Sequence, residues 1–404
     1  MKKLFILMSI ALMGLTGCTE EVSYQNNTDT DYLQDVYIKF ENAVQPDTRA
    51  DEPSKGNTDK ASFASGYIFF LTNINASTNI DTDTKVRIKK CYRITPSGGT
   101  ATDLSNHIIN LNDFWTPASG AGYPFSNVSG EVKGVYIVGN IPDTGNTTEA
   151  NIRSITTLKE LREVVIPVSA QSAVGTVSMD GTAKTLTDVS ASHDGTAMKA
   201  TVDLQPLCSR IEIAKLTAGG KVTAYRVQGI YVSHFYSEMP WNETAVAGKQ
   251  VLYDATTESA TYTTYSFMCD KATSTTTTLG KQTGSTPAIA TAPATANNVW
   301  AYQFLAGNNS GRIPPRVVIK LNGVTSSITG AFDSSAFYYL NIRGFKTTTG
   351  NSDPMAVTRG KIYKISDIPF KENDISDIPN PNDVSLTVTA TVKNWVVENV
   401  YPVM

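Results

Sequence analysis

The sequence predicts an all-β chain of two β-sandwich domains with short helices, and three observations carry that expectation. Many short runs of Val, Ile, Tyr and Thr are bounded by Gly, Pro, Asn and Asp, the pattern of strands separated by turns. Helical periodicity is confined to one brief segment, which disfavours alternating strand–helix units. With 404 residues, 41% hydrophobic and 18% charged, the chain can bury two ordinary cores, and a net charge of −3 offers nucleic acid no footing.

Residues 1–17 read as an export signal, with two lysines and then an apolar run from Leu4 to Leu15 too short to span a bilayer comfortably. Leu15-Thr16-Gly17-Cys18 resembles the lipobox of bacterial lipoproteins, which makes Cys18 the diacylated first residue of the mature chain. Two acyl chains give a stable membrane anchor where one is marginal. Residues 18–49 then form a lipidated propeptide. Within it Val36, Ile38 and Phe40 alternate with Tyr37, Lys39 and Glu41, a strand with one apolar face. The linker ENAVQPDTRADEPSKG follows, with Arg49 near its middle and Lys55 and Lys60 as the next basic residues.

The first sandwich is placed at residues 50–205 and the second at 206–383, with the boundary near Asp203-Leu204-Gln205-Pro206. Strands are expected at GYIFFL (from Gly66), GVYIVG (from Gly134), RIEI (from Arg210) and PRVVIKL (from Pro315). From Thr157 to Val165 the period is helical: Leu158, Leu161, Val164 and Val165 share a face, and Thr157 with Glu160 has capping-box spacing. This predicts a short helix over one sheet face. Thr256 to Asn298, rich in Thr, Ser and Ala, reads as a surface loop or insertion with little core.

Catalytic patterns are scarce. His107, His193 and His234 are far apart and in no ligand spacing, and GxSxG, P-loop and GxGxxG motifs are absent. The chain is therefore read as a non-enzyme without cofactor or metal. Cys91, Cys208 and Cys269 fit neither a zinc site nor a redox motif; one bridge with a thiol, or three buried thiols, are both open, and no disulfide role is expected. Trp115, Trp241, Trp300 and Trp395 are either glycan platforms or core residues, with burial the expected state.

The C-terminal segment, residues 384–404, reads VSLTVTATVKNWVVENVYPVM. Leu386, Val388 and Val392 alternate with threonines, and Trp395, Val397, Tyr401 and Val403 form a second set. Behind the stiff Ile378-Pro379-Asn380-Pro381-Asn382 this is expected to be a detached, strand-competent tail, able to add to the edge of another sheet.

The lipobox at Cys18, Thr48-Arg49-Ala50 after the first strand, VYIVGNIP (from Val135), RGKIYKI (from Arg359) and VTATVKNWVVENVYPV (from Val388) together resemble the FimA-like fimbrillins, the type V pilins. The resemblance implies two transthyretin-like sandwiches and a lipidated precursor at the outer membrane. It further implies an Arg-specific protease cutting between Arg49 and Ala50, and a C-terminal strand that fills the groove vacated in a neighbouring subunit. Partners are then other pilin subunits, including tip and anchor subunits, in a cell-surface fimbrium in which this chain is a stalk subunit. The competing expectation is a lipid-anchored surface protein that binds a glycan or another ligand and never polymerises.

Overall fold

A computed structural model describes residues 32–41, 60–96, 101–115, 122–173, 176–193, 195–283, 289–295, 298–307, 313–346, 357–380, 385–394 and 396–399. The fold is all-β. In the first sandwich β10 (Thr187–Asp188), β11 (Ala197–Asp203), β1 (Leu33–Glu41) and β6 (Tyr123–Ser129) lie side by side in that order. The facing sheet runs β12 (Gln205–Pro206), β9 (Met179–Ala183), β7 (Gly134–Gly139), β3 (Gly66–Thr72), β4 (Arg87–Thr95) and β5 (Ile108–Asn110).

β3 and β7 are buried along their whole length because this second sheet is covered on both faces. Phe70 meets Phe125 of β6, with ring centroids 5.1 Å apart. On the opposite face Phe69 meets Tyr136, and the Arg162 guanidinium of α3 (Leu158–Arg162) lies 5.6 Å over the Tyr136 ring. A strand with no solvent side needs no polar alternation, which accounts for GYIFFLT and GVYIVG. α3 forms where the sequence predicts a helix. The Thr157 side chain accepts from the Glu160 amide, and the Glu160 carboxylate accepts from the Thr157 amide, each at 3.2 Å, while Leu158 and Leu161 are buried. Two further short helices, α1 (Leu111–Trp115) and α2 (Glu149–Ser154), complete this half.

The second sandwich sets β19 (Cys269–Lys271), β15 (Val222–Ser233), β23 (Arg316–Ser326), β24 (Phe337–Lys346) and β27 (Leu386–Thr389) against two smaller sheets. These are β22 (Trp300–Phe304), β13 (Ser209–Ile213), β25 (Lys361–Ile365) and β28 (Thr391–Asn394), and then β20 (Lys281–Thr283), β21 (Ala290–Ala292), β14 (Leu216–Ala218) and β26 (Ile368–Phe370). Phe345 faces Tyr363 across the layers at 5.8 Å, and Tyr225 meets Phe370 at 5.1 Å. A small pair, β16 (Phe235–Tyr236) with β18 (Gln250–Val251), closes one end.

Strand pairing and charge both join the two sandwiches. β8 (Val165–Pro167) pairs with β17 (Glu238–Pro240), and β2 (Lys60–Phe63) pairs in parallel with β29 (Val396–Asn399). Between them Asp180 of β9 accepts hydrogen bonds from Tyr136 Oη at 2.6 Å, Arg162 Nη1 at 2.8 Å and Arg359 Nη2. Arg162 also donates to the Trp241 carbonyl at 3.2 Å, and Arg359 to the carbonyls of Gln205 at 2.8 Å and Pro206 at 3.2 Å.

Two sequence expectations change in the structure. The stretch from Thr256 to Asn298 contributes core: α4 (Glu258–Thr264) buries Tyr262, whose hydroxyl donates to the Val232 carbonyl at 2.7 Å, and Met268 and Ile289 are also buried. Its threonines misled because Thr278 is held to β15, its hydroxyl accepting from the Val227 amide at 3.0 Å. The tail is not detached. β27 extends one sheet beside β24, the Ala390 amide donates to the Lys346 carbonyl, and β28 joins the other sheet beside β25. Trp241 and Trp300 are core residues. Cys91, Cys208 and Cys269 are buried thiols, with no disulfide among them.

Candidate assembly site

The first strand is an inner strand. β1 pairs in parallel with β11 from Asp35 opposite Ala197 to Glu41 opposite Asp203, and antiparallel with β6, where Val36 opposes Phe125 and Ile38 opposes Tyr123. Its side chains divide by parity as a half-buried strand requires. Val36, Ile38 and Phe40 are 0%, 2% and 7% exposed, whereas Lys39 is exposed and Tyr37 stacks on His193 on the outer face, with ring centroids 4.4 Å apart.

Phe40 closes the inner end of this row between Phe63 at 5.8 Å and Phe114 at 5.3 Å. At the other end the Gln34 side-chain amide donates to the carbonyls of Ser129 at 3.3 Å and Val132 at 3.1 Å. Gly122, at φ +116°, lets the start of β6 approach β1, since a Cβ there would stand 2.3 Å from the Ile38 carbonyl oxygen. β1 is therefore both built into the core and located at the start of the described chain. Its departure leaves β11 and β6 with unpaired backbone edges on either side of an apolar slot.

The processing residues Cys18, Arg49 and Ala50 lie outside the described residues, as do Trp395, Tyr401 and Val403. Val397 lies in β29, opposite Ala61 of β2. Thus the structure brings Val36, Ile38 and Phe40 together in one row and puts the backbone of β29 on β2, next to Phe63 at the inner end of that row. The flanking strands β6 and β11 were not picked out from sequence as part of a site. β11 carried the signal: Met198, Ala200 and Val202 alternate with Lys199, Thr201 and Asp203.

His107 sits edge-on to Tyr92, His193 is on Tyr37, and His234 lies in the second sandwich. The adjacent Ser233 and His234 are linked at 2.8 Å but are buried, and Ser233 Oγ accepts from the Tyr253 amide at 2.9 Å. Burial, with the positive charges of Arg316 and Arg343, pushes the His234 imidazole down to about 4, so it is neutral at physiological pH. Among the described residues no group of three or more His, Cys, Asp or Glu could hold a metal ion, and no helix is long and apolar enough to cross a membrane.

The fold and site define an all-β, two-sandwich protein whose first strand is held between two others. No protein-family model matches the chain, and no curated protein does. Among solved structures it is similar to a candidate cell adhesion protein of Bacteroides eggerthii, with 14% identity over 93% of this chain and all of that one at a TM-score of 0.49. It is also similar to a fimbrilin, FimA, of Porphyromonas gingivalis, with 10% identity over 92% of this chain and 99% of that one at 0.45. The tip fimbrial protein Mfa3 of the same organism, with C-terminal truncation, shares 12% identity over 89% of this chain and all of its own at 0.38.

Proposed function

We propose that this protein is a structural subunit of a pilus. It is exported as a lipoprotein with Cys18 diacylated, held at the outer membrane until an Arg-specific protease cuts between Arg49 and Ala50, and then polymerised by strand exchange. The observation that carries this reading is the position of β1 between β11 and β6, because removal of an inner strand creates a slot with two hydrogen-bonding walls. Arg49 follows β1 in the chain, so a cut there severs the covalent link between that strand and the strands that follow.

The C-terminal segment with Trp395, Val397, Tyr401 and Val403 is the donor in this scheme, filling the slot of the next subunit. Such a head-to-tail contact does not close on itself and extends into a filament. Possession of both a cleavable leader and a donor strand makes this a stalk subunit, whose partners are further copies and the tip and anchor subunits of the fimbrium. Because β27, β28 and β29 are paired within their own chain, the donor has to leave those edges before it can be given.

Arg49→Ala should keep the subunit at the membrane with an intact lipidated N-terminus and abolish its filaments. Mass spectrometry of surface protein and electron microscopy of the cells check this, and normal filaments from the variant would refute the cleavage step. Deletion of residues 395–404 should leave a folded subunit that caps a filament without extending it. Continued growth from the truncated subunit, followed by light scattering, would remove the donor role.

A further inference from the structure

The second sandwich carries a cavity separate from the slot that β1 occupies. It has a volume of about 450 Å³ and is lined by Glu212 of β13, Lys364 and Ile365 of β25, Asn298 and Val299 before β22, and Thr391 of β28. Glu212 and Lys364 are paired positions on adjacent parallel strands, so both side chains rise from the same face of the sheet.

The Glu212 carboxylate is only 1% exposed. Its Oε1 accepts from Arg210 Nε at 2.7 Å, but Oε2 accepts no hydrogen bond, and the Lys364 ammonium stands 3.6 Å from it. A buried carboxylate oxygen without a donor is costly to leave so, and calls for a hydrogen-bonding group that the described residues do not supply. Charge then restricts what that group can be. Two cations already face one carboxylate, so another cation meets repulsion, and an anion meets Glu212.

A neutral hydroxyl suits both: it donates to Oε2 while its oxygen accepts from Lys364 Nζ. The Asn298 amide offers a donor and an acceptor, Thr391 a further hydroxyl, and Val299 and Ile365 an apolar wall for a C–H face. The volume lies in the range of small-ligand sites and admits one or two sugar rings. We propose that this cavity binds a neutral mono- or disaccharide unit through Glu212 and Lys364. The site is complete in the unpolymerised subunit, where Thr391 of β28 lies opposite Lys364 of β25, so its binding is measured on that form.

The test uses the purified full chain with glucose, galactose, N-acetylglucosamine and lactose, with n-butylammonium as the charged comparison, observed by saturation-transfer NMR. At least one sugar should bind, Glu212→Gln should weaken it about tenfold or more, and n-butylammonium should not compete. Ala292→Trp, on the half-buried rim of the cavity, should abolish binding without changing the melting temperature of the ligand-free chain. Should Glu212→Gln fail to fold, Ala292→Trp alone decides. Silence from all four sugars, sugar binding that survives the tryptophan, or preferential binding of the ammonium ion overturns the proposal.

Discussion

A subunit cut at Arg49 and stripped of β1 should lose its monomeric state, and a synthetic peptide LQDVYIKFE, spanning Leu33–Glu41, should restore it. Val36, Ile38 and Phe40 are each almost wholly buried, and each such side chain contributes roughly 1.5–3 kcal/mol when taken from water. The stripped subunit exposes that apolar floor together with two unpaired strand edges, the combination that drives edge-to-edge association. Cutting alone is not enough to produce this state, since β1 remains hydrogen-bonded along both β11 and β6. The measurement is sedimentation and melting temperature of the stripped subunit with and without peptide. Peptide carrying Ile38→Asp should fail to rescue, because it puts a charge on the core face. A stripped subunit that stays monomeric at the precursor's melting temperature would show that β1 is dispensable and end the slot model.

Asp180→Asn should destabilise the chain by about 3–5 kcal/mol, the usual cost of removing one partner from a buried ion pair. The side chains of Asp180, Arg162 and Arg359 are 7%, 8% and 14% exposed, so the two guanidinium groups lose their shared counter-charge in a place water barely reaches. An amide of the same shape keeps the packing and removes the charge, which separates the electrostatic effect from a cavity. Urea unfolding measures it, and a loss below about 1 kcal/mol would mean that the Asp81 and Glu243 carboxylates, with the carbonyls of Trp241, Gln205 and Pro206, suffice for the arginines.

The same carboxylate sets an acid limb. Burial works to raise the Asp180 carboxyl, but Arg359 and Arg162, with the Tyr136 hydrogen bond, outweigh it and hold the carboxyl below its ordinary range. A depressed folded value means stability that is fully present above the unfolded value near 4 and is lost as pH falls through the folded one. Neighbouring Glu243 is shifted the other way, pushed up mainly by burial, so its protonation on acidification relieves strain before Asp180 titrates. The Asp180→Asn variant should therefore lose less stability than the parent below about pH 4.

Much of the fold was legible because it depends on local pattern. The alternation of Val36, Ile38 and Phe40 announced a half-buried strand, and Thr157 with Glu160 announced a helix start, since both signals lie within a few residues. The stretch from Thr256 to Asn298 was misjudged for a related reason. Its threonine-rich composition describes solvation, while Tyr262, Met268 and Ile289 bury single residues at intervals that composition averages away.

By itself, then, the sequence determined an all-β chain, the apolar row of the first strand and the strand character of the C-terminal segment, because period-two patterning is written residue by residue. Only the tertiary structure decided that β1 lies inside its sheet, that the tail is paired with β24, β25 and β2, and that Asp180 meets Arg359 from 179 positions away. Strand order and long-range ion pairs follow from which surfaces bury each other, and that is a property of the whole chain packing at once.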